Sequence, residues 1–303
     1  MSKTELFVRK YGGGVFSVVN EAMTTGNVWY VDSGAGTDST AYGKNPDTPF
    51  ATLDYAIGKC TASNGDIIFV MPGHAENIVG ASTLTLDVAG VKIIGLGSGY
   101  SIPKFTYTTA AAATFNITAA NCHVENLYLY ANYTGGVAAG ITVGALADGL
   151  VLKNIVMEES ANTTEFLIGI SIAAACHHVV IDGLKFYGVA GGTDSSCIVL
   201  AGASNFSIIK NCEIYGDFSG AVIDATGAAS TFLTLKDNIL HNVDTGAGLT
   251  FSAHSSTTGI CANLAAFGNL DTATPVGAAM AFFQSFVTNA AGAQGIYKPA
   301  QDS

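Results

Sequence analysis

Short runs in which apolar and polar residues alternate recur along the chain from Lys92 onward. KIIGLGS starts at Lys92, HVENLYL at His123, VLKNIVM at Val151, VIDGLKF at Val180, IIKNCEI at Ile208 and TLKDNIL at Thr234. ICANLAA at Ile260 is a weaker copy. The third residue of the shared pattern falls at Gly95, Asn126, Asn154, Gly183, Asn211, Asp237 and Asn263, so successive spacings are 31, 28, 29, 28, 26 and 26 residues. A second strand-like run precedes most copies: ATFNITA, AAGITVG, LIGISIA, SCIVLAG, GAVIDAT and GLTFSAH. Alternation with period two over four to six residues predicts strands, and no helical period lies between them. A βα solenoid or α/β barrel is therefore disfavoured. The expected fold is all-β: a right-handed, single-stranded parallel β-helix of about seven coils, one repeat per coil.

The repeat assigns columns of side chains. Asn126, Asn154, Asn211 and Asp237 are expected to stack as an inward structural ladder at a bend, answering backbone groups that the bend leaves unpaired. The residue before each of these, and before Gly183 in the same register, is Glu125, Lys153, Asp182, Lys210 and Lys236 in turn, and the first four alternate in sign. That column is read as register selection between coils. Three residues after the bend come Leu129, Met157, Phe186, Ile214 and Leu240, a core column.

Composition narrows the function classes. The 303 residues are 49% hydrophobic and 12% charged, too apolar for a disordered chain. The 36 glycines have no three-residue period, which excludes collagen. A net charge of −11 repels phosphate backbones and argues against nucleic-acid binding. No 18-residue apolar stretch suggests a membrane span. The six cysteines form no C-x-x-C pair and read as small core residues. No metal or cofactor motif is expected. Cys176, His177 and His178 lie before a strand whose alternation would separate them.

Residues 27–80 read as an N-terminal cap ahead of the coils of 81–270. VWYV and GDIIFVMPG are strands, and Thr52 to Lys59 is a short helix with Thr52 as N-cap. The cap covers an open sheet edge. Tyr30, Val31, Asp32, Pro49, Phe50, Thr52, Leu53, Ala56, Ile57, Gly65, Asp66, Ile68, Val70, Pro72 and Gly73 match a pattern. This block resembles the N-terminal module of pectate-lyase-like β-helix proteins. With His74, Ala75, Glu76 and GVKIIGLGSG added, it looks like proteins of tailed bacteriophages. The resemblance implies a non-enzymatic virion component: a capsid decoration, or part of a head or tail spike or fibre. It would be made in the host cytoplasm, since no secretion signal is visible. Its expected partners are copies of itself, as a trimer, and virion proteins such as the major capsid protein or tail components, with host glycans as a further ligand.

The alternative is a polysaccharide lyase or glycoside hydrolase acting on host surface glycans. Pectate-type lyases resemble one another in using calcium-binding carboxylates with a basic residue, usually arginine. This chain has one arginine, Arg9, outside the coils. The Asn-Thr-Asp, Asp-Asp, Gly-His-Gly and Arg-Ile-Lys motifs of polygalacturonase-like members are absent. Asp217, Asp224 and Asp244 fall in adjacent coils and are the catalytic candidates under this alternative, with solvated loops as the competing reading. Tyr130, Tyr187 and Tyr215 form an approximate column. Residues 1–26 read as an arm. In 271–303, Met280, Phe282, Phe283 and Phe286 form an apolar cluster, read equally as a cap on the last coil or a subunit contact.

Overall fold

A computed structural model describes residues 24–263 apart from 174 and 245–248. Outside that range it describes only the backbone of a few short strands. The chain winds into a right-handed parallel β-helix with three sheets. In one coil, Val151–Lys153 belongs to the first sheet, Val156–Glu159 to the second and Ile168–Ile172 to the third. The next coil repeats them as Val180–Asp182, Lys185–Tyr187 and Ser196–Leu200. Each strand pairs in parallel with its equivalent one coil away.

Most motifs visible in sequence are thus two strands joined at a two-residue corner. In HVENLYL, His123–Glu125 lies in the first sheet and Tyr128–Ala131 in the second. Between them Asn126 has φ 59°, and Asn154, Asn211 and Asp237 repeat this at 50°, 55° and 56°. Asn tolerates the left-handed region because its short amide bonds locally, and Gly183 takes the same place at φ 73°.

The expectation of an inward ladder needs correction. Asn154 and Asn211 are exposed, and Asn126 and Asp237 are half-buried. The left-handed turn throws these side chains outward. Asn126 still caps backbone, its Nδ2 donating to the carbonyls of Gly95 and Gly97 at 2.8 and 3.1 Å. Asn211 Nδ2 donates instead to Asp182 Oδ1 at 2.7 Å. The inward amides are Asn238 and Asn263, both buried and bonded to each other at 2.8 Å.

Leu129, Met157, Phe186, Ile214 and Leu240 are fully buried, as the repeat requires. Cys122, Cys176, Cys197, Cys212 and Cys261 are also buried, and Cys60 is half-buried. Outside, Glu125 meets Lys153 at 3.0 Å and Asp182 meets Lys210 at 3.3 Å. The charged column therefore aligns coils, and its exposed pairs add little energy.

At the N-terminal end, Val28–Val31 pairs in parallel with Ile67–Val70 and extends the first sheet. The helix Leu53–Ile57 begins at Thr52, whose Oγ1 accepts from the Tyr55 N–H at 3.4 Å. His74 is buried and ties this block together. Its Nδ1 accepts from the Ser33 N–H at 3.0 Å, so Nε2 carries the proton towards Glu76 Oε2, 3.0 Å away. Glu76 Oε2 also accepts from the Leu53 N–H at the helix start. The His-Ala-Glu sequence thus has a structural task.

Parallel pairing continues past residue 270. The backbone of Met280–Phe282 pairs with Gly259–Ala262, and that of Phe286–Thr288 with Ala265–Phe267. Gln294–Ile296 then adds an antiparallel strand. Phe283, the side chains of Met280, Phe282 and Phe286, and nearly all of the arm lie outside the described residues.

Candidate functional site

The outer face of the second sheet concentrates chemistry. Alternation buries Leu129, Phe186 and Ile214 and turns their neighbours outward. The register aligns Tyr130, Glu158, Tyr187, Tyr215 and His241 on five successive coils. Coils are about 4.8 Å apart, so Tyr187 and Tyr215 repeat at that interval and Tyr130 lies about 10 Å below Tyr187. Tyr187 and Tyr215 are each 39% exposed. The approximate column of the sequence is thus continuous, with a carboxylate and an imidazole as its other members.

A second outward column runs beside it through Lys104, Tyr128, Val156, Lys185 and Glu213. Lys104 Nζ sits over the Tyr130 ring at 3.7 Å and the Tyr128 ring at 5.1 Å. Tyr128 OH donates to Glu158 Oε2 at 2.7 Å. Burial, and then Glu158 beside it, push the Tyr128 phenol upward, so it stays a donor. Burial lowers the His241 pKa, keeping the ring neutral at physiological pH, and the ring lies edge-on to Tyr215 at 5.2 Å. The face therefore offers phenol rings, a neutral imidazole, the two carboxylates of Glu158 and Glu213, and lysines in a flat strip.

A buried acid cluster lies at the corner where the second sheet turns into the third. Glu159 ends its strand facing inward, and its two oxygens accept from the Phe166 and Val189 N–H groups at 2.9 and 3.1 Å. Glu165 accepts from the Thr193 N–H at 3.0 Å and from the Thr193 hydroxyl. Asp194 is 0% exposed, and neither of its oxygens meets a protein donor. It faces other acids instead: Glu159, Glu165 and Asp217. Gly192 lets the chain pass close by, since a Cβ there would sit 2.6 Å from Glu165 Oε2.

Burial, then repulsion from Glu159 and Glu165, pushes the Asp194 carboxyl up to about 9. Burial drives Glu159 to about 7 despite its two backbone donors. A proton kept on Asp194 converts these repulsions into hydrogen bonds. Among the described residues, no three His, Cys, Asp or Glu side chains have the arrangement of a metal site. The cluster is a proton-sharing group. Its burial keeps it from touching a polymeric substrate.

The three aspartates considered from sequence do not form one constellation. Asp217 follows the second sheet and accepts from the Gly191 N–H at 2.6 Å, at the rim of the acid cluster. Asp244 lies at the same corner one coil on. Asp224 is on the third sheet, where it accepts from the Thr226 N–H and hydroxyl at 2.9 and 2.6 Å. Glu159, Glu165 and Asp194 were missed in the sequence because Glu165 and Asp194 sit in corner segments and Glu159 at the very end of its strand, where no repeat register marks them. An unusual signal was present, since Glu159 takes an inward strand position. The outer face of the third sheet carries Asn116, Thr142, Ser171, Val199, Asp224 and Ser252, with one carboxylate and no base beside it.

No protein-family model matches the chain, and no curated protein sequence matches it. Among solved structures, a rhamnogalacturonan lyase aligns over 84% of this chain and 80% of its own, with TM-score 0.50 and 12% identity. A pectin methylesterase from Erwinia chrysanthemi aligns over 91% and 86%, with TM-score 0.49 and 13% identity. The likeness is one of fold. It shows a parallel β-helix fold and transfers no residue role.

Proposed function

We propose that this chain engages an extended glycan along the outer face of the second sheet. The observation that carries the reading is the outward column of exposed Tyr187 and Tyr215 and half-buried Tyr130, with Glu158 and His241 in register. Phenol rings offer apolar faces to sugar C–H groups and hydroxyls to sugar oxygens. The coil repeat is close to the length of one sugar residue in an extended chain. A net charge of −11 favours a neutral glycan over a polyuronate, whose charges the protein as a whole repels. The fold neighbour named for rhamnogalacturonan supports an extended glycan as the ligand class, and the charge argument decides its neutrality.

We infer binding, and cleavage is the second reading, which the fold neighbour named as a rhamnogalacturonan lyase favours. A hydrolase needs a carboxyl pair across the scissile bond, and a lyase needs a base, for which His241 is the candidate on this face. On this face Glu158 and Glu213 lie two coils apart and in different columns, and Glu213 is held near Lys185 at 3.9 Å. The N-terminal block carries the place of action: its Pro49, Phe50, Thr52, Leu53 and His-Ala-Glu pattern supports an adhesive component of a tailed-phage particle. Affinity electrophoresis in gels containing neutral or acidic host-surface polysaccharide tests the reading. Retardation by a neutral glycan, weakened at least tenfold (roughly 1.4 kcal/mol) in the Tyr187→Ala/Tyr215→Ala variant, is expected. Equal mobility in every gel overturns glycan engagement. New reducing or unsaturated ends on incubation would replace binding with catalysis.

A further inference from the structure

The corner between the third and first sheets carries an aromatic stack that the glycan-facing sheet does not use. His178 and Phe206 stack with ring centroids 5.3 Å apart and planes 10° apart. Phe206 and Phe232 continue the stack at 5.0 Å and 15°. These rings point to solvent: Phe206 is 49% exposed and Phe232 63%.

The backbone at these positions opposes such residues. His178, Phe206 and Phe232 have φ 57°, 56° and 56°, in the left-handed region that bulky side chains disfavour. Their equivalents on earlier coils are Asn121 and Gly149, the residue types this conformation prefers. The later coils therefore give up local stability to hold aromatic rings in water. Strain of this kind marks positions kept for contact.

Charge identifies the occupant. Copies of a chain with net charge −11 repel one another wherever their acids meet. This corner is acid-free on the coils that carry the stack: residues 173–179, 201–207, 226–232 and 254–258 contain no Asp or Glu. Two residues beyond each ring lies the outward column of the first sheet, with Val180, Ile208, Thr234 and Ile260 in register. On that sheet Glu125, Asp182 and Asp237 each lie against a lysine. The strip is thus apolar and repeated at the coil spacing, with Asp148 at its lower end taken up by the His177 N–H at 2.6 Å, so a second copy presents the same repeat to it.

We infer that the Phe206–Phe232 strip is a self-association face, on which a second copy of this chain docks along the helix axis. Rings stacked on each other show their edges outward, which suits apolar packing better than stacking of a sugar on a ring face.

The test uses the full chain and the double variant Phe206→Asn/Phe232→Asn. Asparagine accepts the left-handed backbone, so the variant should fold with an unchanged circular dichroism spectrum. Sedimentation velocity from 1 to 100 µM reads the assembly. The inference expects an oligomer in the parent and a dissociation constant roughly 100-fold or more higher in the variant. A parent that stays monomeric throughout, or a variant that associates as tightly, overturns it. A photo-crosslinking residue at Phe232 guards against a misfolded variant. Crosslinks to the same strip of a second copy support the inference, and crosslinks confined to other surfaces overturn it. Loss of glycan retardation in the asparagine variant with unaltered assembly would assign the stack to the ligand instead. Tyrosine-face variants leave assembly untouched, so this inference and the glycan reading fail separately.

Discussion

Asp66 and Asp194 are both 0% exposed in the same solenoid, and their surroundings are opposite. Asp66, in the N-terminal block, is surrounded by donors. The Asn27 N–H reaches Oδ1 at 2.6 Å, the Asn64 amide reaches Oδ1 at 2.7 Å and the Thr61 N–H reaches Oδ2 at 2.7 Å. Burial alone would raise its pKa, but the donors outweigh it and hold the carboxyl below its ordinary value. Asp194 is surrounded by acids, and burial and repulsion act in the same direction. Burial does not decide the state of a carboxyl; what faces it does. The first acid knots the cap to the first coil. The second keeps a proton among the acids at the corner beside the tyrosine face.

The largest expected effect comes from breaking the donor-rich side. Asp66→Ala leaves the Asn27 and Thr61 N–H groups and the Asn64 amide without their acceptor. Urea unfolding at pH 7 should show a loss of about 3–5 kcal/mol. A loss under 1 kcal/mol would mean that the knot is dispensable.

The next effect sharpens the comparison through pH. For Asp194 the native state keeps a proton that the unfolded chain releases near the ordinary value of 3.8. Its stabilising contribution is complete below that value. It declines as pH rises towards about 9, by at most ~1.4 kcal/mol per unit. Asp66 has the opposite sign: its contribution is present above 3.8 and is lost as pH falls through its lowered native pKa. Asp194→Asn supplies a permanent donor to Glu159 and Glu165. Urea midpoints from pH 5 to 9 should fall in the parent and flatten in the variant, with a gain of about 1–3 kcal/mol at pH 8. A variant destabilised equally at every pH would contradict the proton-sharing account.

The smallest effect belongs to charges in water. Lys153→Ala removes the partner of Glu125 at the surface, and its thermal unfolding should change by less than about 1 kcal/mol. A larger loss would show that the outer column stabilises the stack as well as aligning it.

These contrasts follow what the sequence made legible. Strand positions obey a register, so the core column, the charged column and the tyrosines could be read from spacing. The bend residues were located correctly, but their direction was not, because a left-handed turn reverses the alternation on which the inward ladder was based. The third strand of each coil was hidden because Asn126 and its equivalents join two strands with no visible loop. The acid cluster was illegible for a different reason. Glu159, Glu165 and Asp194 meet at corners that the strand repeat does not mark, between Glu159 and Ile168 in one coil and between Tyr187 and Ser196 in the next. Asp217, Asp224 and Asp244 were grouped by coil number alone, which does not say which sheet a residue occupies.

The central claim is that the second sheet's outer face meets a glycan, and the tyrosine rings can report it directly. In protein carrying ¹³C-labelled tyrosine, with signals assigned from Tyr→Phe variants, oligosaccharide is added and the ring resonances are followed. The account predicts shifts at Tyr130, Tyr187 and Tyr215, and none at Tyr107, whose ring is fully buried. Shifts confined to tyrosines off the second sheet, or none with any neutral or acidic surface glycan, would contradict it.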